Sequence, residues 1–160
     1  MPELARLPGP DREEFIFRHI QTGHTTRMPV EAADTLRWLK DRQYLLGIAS
    51  NAQAYTLTEL QAGLATHGLA MDLFEPALRF WSFEHGFSKP DPHVFQDLTT
   101  RLAGFGVAPG ESLMVGDRLD NDIEPARAHG WQVWQVGPQA EGGWASLQAG
   151  LSGITHRGAI

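Results

Sequence analysis

The sequence predicts an α/β fold built on a mostly parallel sheet, and three observations predict it. Apolar runs of strand length alternate with segments whose apolar residues recur at helical spacing. Two of the runs end in polar clusters, Ser50-Asn51 and Gly116-Asp117, at the strand ends where open α/β sheets bind ligands. At 160 residues without an internal repeat, the chain has room for one compact domain.

The elements follow in order. Residues 1–10 carry Pro2, Pro8, Gly9 and Pro10 and are expected to be irregular. Asp11 is placed to cap a helix whose Phe15, Ile16, His19 and Ile20 share one face. Gly23 to Pro29 breaks that pattern and reads as a loop. Val30, Ala33, Leu36 and Leu39 or Lys40 recur at the spacing of a second helix. Tyr44-Leu45-Leu46-Gly47-Ile48-Ala49 then reads as a buried strand that ends in Ser50-Asn51. Leu57, Leu60 and Leu64 mark the next helix, with Gly68 as its C-terminal stop. Residues 77–83 are expected to form a second strand, followed by a loop from Gly86 to Pro92. Asp91 suits the cap of the following helix and Pro92 its first position, while Phe95, Leu98 and Leu102 supply its buried face. Leu113-Met114-Val115 is a third strand, Ile123 to His129 a short helix closed by Gly130, and Gln132 to Val136 a fourth strand. The Gly-rich remainder, 137–160, carries one short helix near Trp144 to Leu147.

Composition narrows the function classes. Hydrophobic residues at 42% can form a core, and charged residues at 20% are too few for a disordered chain. A net charge of -6 argues against a nucleic-acid binder, which would carry a basic stripe. It does not oppose phosphate chemistry, because a divalent cation offsets local negative charge. The absence of cysteine removes disulfides and thiolate metal sites. No apolar run approaches the roughly 20 residues that span a bilayer, and the first residues lack the order of a signal peptide. A cytoplasmic protein without a membrane partner is the expectation.

Three segments can carry chemistry. Asp117 and Asp122 place two carboxylates on one turn, a hard-oxygen site suited to Mg²⁺. Two such charges about 4 Å apart repel by roughly 4 kcal/mol at an effective dielectric near 20, a cost that a cation removes. The same turn can equally be a solvated acidic loop with Asp122 as a helix cap. Ser50 and Asn51 can form an anion cradle from a hydroxyl and the following backbone N–H, or serve only as a cap and a turn residue. Lys89, in a loop stiffened by Pro90 and Pro92, can neutralise a phosphoryl oxygen, or be an ordinary solvated lysine. His85 is read as structural or exposed.

Their order along the chain makes the combination specific. Leu46-Gly47-Ile48-Ala49-Ser50-Asn51, Phe87-Ser88-Lys89-Pro90-Asp91-Pro92 and Val115-Gly116-Asp117-Arg118-Leu119-Asp120-Asn121-Asp122-Ile123 resemble the second, third and fourth motifs of the haloacid dehalogenase superfamily. The resemblance runs from about Pro29 to Val136 and is strongest to the branch with a helical cap. It implies a three-layer, Rossmann-like core over residues 29–160, with residues 1–28 as a remnant of the cap. It implies that Ser50, with Asn51 beside it, and Lys89 bind phosphate, and that Lys89 and Asp117 are catalytic. It further implies Mg²⁺ held by Asp117 directly and by Asp122 directly or through water, with Asp120 as the alternative to Asp122.

The sequence departs from the family at one place. Members begin with a strand ending in Asp-x-Asp, whose first aspartate attacks phosphorus. The aspartates before Ser50 are Asp11, Asp34 and Asp41, and none follows an apolar strand. The expectation is therefore an N-terminally truncated, inactive form of a Mg²⁺-dependent phosphatase for a small phosphorylated metabolite. A catalytically dead binding module and a haloacid dehalogenase are the alternatives. The absent strand would lie between those ending at Ser50 and Asp117. Either the two close up or a slot of unpaired backbone remains, and exposed strand edges favour self-association.

Overall fold

The computed structural model describes residues 27–138, 140 and 142–152, with positions 8, 9, 11, 14, 15 and 18 ahead of them. The expected cap remnant, residues 1–28, and the helix begun by Asp11 lie largely outside the described residues.

Helix α1, Val30–Asp41, turns Ala33, Thr35 and Leu39 inward. Strand β1, Ile48–Ser50, follows it. Helix α2, Ala54–Ala65, is started by Gln53, whose backbone N–H donates to the Thr56 hydroxyl at 3.2 Å. Short 3-10 turns at Met71–Leu73 and Pro76–Leu78 lead into β2, Arg79–Trp81, and the one-turn helix α3, Ser82–His85. Helix α4, Pro92–Gly104, is capped by the Asp91 carboxylate, which accepts from the His93 N–H at 2.9 Å. Then come β3, Leu113–Gly116, a π-helical turn at Leu119–Ile123, α5, Glu124–Ala128, β4, Gln132–Gln135, and α6, Trp144–Ser152.

Two expected strands are shorter than their apolar runs. The run at 77–83 pairs only over Arg79–Trp81, because Pro76 starts a 3-10 turn before it and Ser82 opens a helix after it. The run at 44–49 becomes regular only at Ile48. Gly47, just ahead, sits where an added Cβ would lie 3.0 Å from Leu78. The last helix is longer than expected, since Leu147 and Leu151, one turn apart, are both buried.

β1 pairs with β2 in parallel, from Ile48 opposite Arg79 to Ser50 opposite Trp81. β3 pairs with β4 in parallel, from Leu113 opposite Gln132 to Gly116 opposite Gln135. Side chains alternate between two apolar layers, as a parallel sheet requires. Phe80 and Met114 join Val94, Phe95, Leu98 and Leu102 of α4 and Ala126 of α5. Ile48, Leu113 and Val115 face the opposite layer, with Ala33 and Leu39 of α1, Leu64 of α2 and Leu147 and Leu151 of α6. This is the expected three-layer α/β arrangement with parallel strands.

The two strand pairs are separate sheets, and among the described residues β1 and β3 share no ladder. A cavity of 290 Å³ lies between them, walled by Gly47 to Ala49 on one side and Leu113 to Val115 on the other. Of the two arrangements open to these strands, the described chain has the slot and not the closure. No helix among the described residues is long and apolar enough to cross a membrane.

Candidate active site

The site forms where the carboxyl ends of β1 and β3 meet the loop after α3. Ser50 is the last residue of β1, half-buried opposite Trp81. Helix α2 starts only at Ala54, behind Gln53, so Ser50 and Asn51 are not its cap.

Asn51 instead reaches across the fold. Its Nδ2 donates to the Lys89 carbonyl at 2.7 Å, and its Oδ1 accepts the Lys89 N–H at 2.8 Å. One amide side chain thus satisfies both backbone groups of Lys89 and pins that loop to the end of β1. Ser82 makes a second tie. Its hydroxyl accepts the Ala52 N–H at 2.9 Å and donates to the Ala52 carbonyl at 3.1 Å. Sequence reasoning did not single out Ser82, and the available signal was a small polar residue ending an apolar run. Replacing Asn51 with alanine is expected to lower stability by roughly 0.5–1.5 kcal/mol, the lower range because water reaches these groups. Urea denaturation midpoints, with an unchanged slope, measure it.

With its backbone held, Lys89 extends inward. Its Nζ lies 2.5 Å from Asp122 Oδ1, and the side chains are only 10% and 7% exposed. The other Asp122 oxygen accepts the Arg118 N–H at 3.1 Å. The turn that carries Asp122 also depends on Gly116, because a Cβ there would collide with the Asp122 carboxylate. A glycine at the end of β3 is therefore a packing requirement of this turn.

Asp117 leaves the end of β3 exposed, and its carbonyl accepts from Gln135 Nε2 at 3.3 Å. Asp120 is drawn elsewhere, bonded through both oxygens to the Arg118 guanidinium at 3.1 and 2.7 Å. That hydrogen bonding holds the Asp120 carboxyl below its ordinary range and raises Arg118 above its own. Of the two carboxylates weighed as the second Mg²⁺ ligand, Asp122 is the one joined to Lys89. His93 similarly holds the Asp91 carboxyl low, chiefly through its backbone N–H. His85 stacks on Phe80, with ring centroids 4.3 Å apart, in the structural role expected of it.

Asp117, Asp122 and Lys89 together leave one net negative charge at the strand ends. Among the described residues no three acidic or histidine side chains form a metal cluster. Two carboxylates are nevertheless enough for Mg²⁺, which keeps several waters and takes its remaining ligands from substrate phosphate. Asp117 is open to solvent, whereas both oxygens of Asp122 are engaged by Lys89 and the Arg118 N–H. The donor types are those that Mg²⁺ takes, one carboxylate open to solvent and one already engaged by the protein.

The chain is similar to known proteins. The family model for haloacid dehalogenase-like hydrolases matches residues 9–130. A glyceraldehyde 3-phosphate phosphatase from Methanopyrus kandleri is 38% identical over 78 residues, 42% of this chain and 32% of that protein. A phosphoserine phosphatase from Thermus thermophilus is 42% identical over 74 residues, 46% of this chain and 25% of that protein. A haloacid-dehalogenase phosphatase from Thermococcus onnurineus superposes with a TM-score of 0.64 at 27% identity, covering 81% of this chain and 60% of that one. The matched part of the chain thus spans a third or less of these two curated relatives.

Proposed function

The chain belongs to the haloacid dehalogenase-like hydrolases, and from that premise we propose that its strand-end cluster is the phosphate- and Mg²⁺-binding part of a phosphatase. The observation that carries the reading is the buried Lys89–Asp122 pair, held by the Asn51 clamp between the ends of β1 and β3. The phosphatases among the relatives support phosphoryl transfer, and a small phosphorylated metabolite is the substrate class proposed.

Each residue has a role. The Ser50 hydroxyl at the end of β1 donates to a phosphoryl oxygen. The Lys89 ammonium neutralises another, in a water-poor position where a fixed charge is most effective. Asn51 is a positioning residue that acts through the Lys89 backbone. Asp117 holds Mg²⁺, which supplies charge neutralisation on the phosphoryl group, and Asp122 keeps Lys89 aimed.

Among the described residues, neither Asp34 nor Asp41 is proposed as the attacking carboxylate. Asp34 pairs with Arg37 on α1, and Asp41 is the last residue of that helix. Phosphate and Mg²⁺ binding is accordingly the proposed behaviour of this cluster.

Calorimetric titration of Mg²⁺, with and without inorganic phosphate, tests this. Each ligand is expected to tighten the other. Asp117→Asn is expected to weaken Mg²⁺ binding by about tenfold or more, the equivalent of at least roughly 1.4 kcal/mol. Binding that ignores Asp117→Asn would sink the site.

A further inference from the structure

We propose that Arg118 is a specificity residue of the strand-end site, and that it binds a carboxylate carried by the phosphorylated ligand. Asp120 holds the guanidinium until such a ligand takes its place. The proposal rests on the phosphate and Mg²⁺ reading of the cluster.

The geometry of the pair carries the first argument. Arg118 Nε donates to one Asp120 oxygen at 3.1 Å, and Nη2 donates to the other at 2.7 Å. Two parallel N–H groups on one carboxylate is the arrangement by which arginine recognises carboxylates generally. The partner is thus of a kind that a ligand can imitate. It is also readily displaced. The two side chains are 59% and 64% exposed, and exposed ion pairs hold weakly. The turn has other supports. The Arg118 backbone N–H is anchored on the buried Asp122 carboxylate at 3.1 Å. After Arg118, the backbone N–H groups of Asp120 and Asn121 also favour the charged form of Asp120.

Position carries the second argument. Arg118 directly follows Asp117, the ligand proposed for Mg²⁺. Its guanidinium lies close enough to feel the site. After the bonds and charge of Asp120, the charges of Asp117 and Asp122 add to its raised pKa. The segments that form the site, 50–53, 86–91 and 117–123, carry two cationic side chains, Lys89 and Arg118. Lys89 is 10% exposed and already paired with Asp122. Arg118 is the one that a second anion can reach.

Charge balance gives the third argument. With Mg²⁺ and a phosphate dianion bound, Asp117, Asp122 and Lys89 still leave the site negative. A further carboxylate is repelled there unless a cation answers it. Exchanging Asp120 for the ligand's carboxylate supplies that cation. The displaced Asp120 side chain is left in water, where its charge is solvated.

The test is calorimetric titration of the full chain, saturated with Mg²⁺, by inorganic phosphate, propyl phosphate and 2-carboxyethyl phosphate. The two esters have the same number of carbons and differ by the carboxylate at the far end. The carboxylated ester is expected to bind at least about fivefold more tightly than propyl phosphate. Arg118→Ala is expected to bring that ratio to about one or below. Arg118→Lys keeps the charge without the fork and is expected to retain less than about half of the preference. Asp120→Asn removes the competing charge and is expected to raise the ratio about threefold. Misfolding cannot produce such a gain. In the parent chain the Arg118 Nε–H resonance is expected to shift with the carboxylated ester and not with propyl phosphate.

Equal binding of the two esters by the parent chain overturns the proposal. So does a ratio that Arg118→Ala leaves intact, a ratio that Asp120→Asn does not raise, or an Arg118 resonance that ignores the carboxylated ester. Full retention in Arg118→Lys overturns the bidentate contact. A chain that binds no inorganic phosphate sinks the phosphate reading itself, whereas phosphate binding without preference between the esters sinks this proposal alone.

Discussion

A Lys89→Met chain is expected to lose about 3–5 kcal/mol of folding stability, and its phosphate binding with it. The stability loss does not come from the attraction of Lys89 for Asp122 as such. Both side chains are almost fully buried, so removing the ammonium leaves a carboxylate with little water and no counter-charge. Asp122 retains its bond from the Arg118 N–H, which softens the penalty without cancelling it. A Lys89→Met/Asp122→Leu chain separates the two contributions. With neither charge present, most of the stability is expected to return, because apolar replacements of a buried pair are often neutral. Phosphate binding is expected to stay lost in the double variant, since no cation remains to receive the anion. Urea denaturation gives the first quantity and calorimetry the second. A single variant as stable as the parent would mean that water reaches Asp122, and the site could not then be described as water-poor.

The second large effect is expected far from the chemistry. Phe95→Ala should cost about 3–5 kcal/mol, a major part of the 5–15 kcal/mol typical of a folded domain. Phe95 is fully buried in the layer between α4 and the strands. Its ring stacks on His129 at 5.3 Å and meets Trp131 edge-on at 6.0 Å. Trp131 is itself fixed by a 3.0 Å hydrogen bond from its Nε1 to the Thr99 hydroxyl. The layer therefore cannot readily collapse into the space left by the ring. Phe95→Leu keeps most of the volume and is expected to cost well under half as much. Equal losses for the two variants would show that the aromatic contacts matter and the cavity does not. Thermal or urea unfolding followed at Trp131 and the other tryptophans measures both.

How much of this was legible in the sequence depends on the range of the interaction. Asp91 and Pro92 announce the start of α4, and that cap forms between residues two apart. Gly68 and Gly130 mark the ends of α2 and α5, and both adopt the positive φ that favours glycine. The alternation of Leu113, Met114 and Val115 between two layers is likewise set by strand geometry. The three polar segments could be placed at strand ends because helix and strand periods locate those ends locally.

The site's internal arrangement was not legible. Asn51 and Lys89 are 38 residues apart, and Ser82 and Ala52 are 30 apart. No local pattern encodes which carbonyl an amide side chain will find at that separation. The choice of Asp122 over Asp120 as the partner of Lys89 follows from a π-helical turn and from Arg118 drawing Asp120 away, and both are properties of the folded loop. The sequence by itself determined an α/β chain with parallel strands, the starts of α1 and α4 and the order of its phosphate- and metal-type residues, because caps and periodicities act over a few residues. Only the tertiary structure decided that Asn51 clamps Lys89, that Lys89 is buried against Asp122, and that a slot separates β1 from β3. Those outcomes depend on how distant segments pack, which local patterns do not specify.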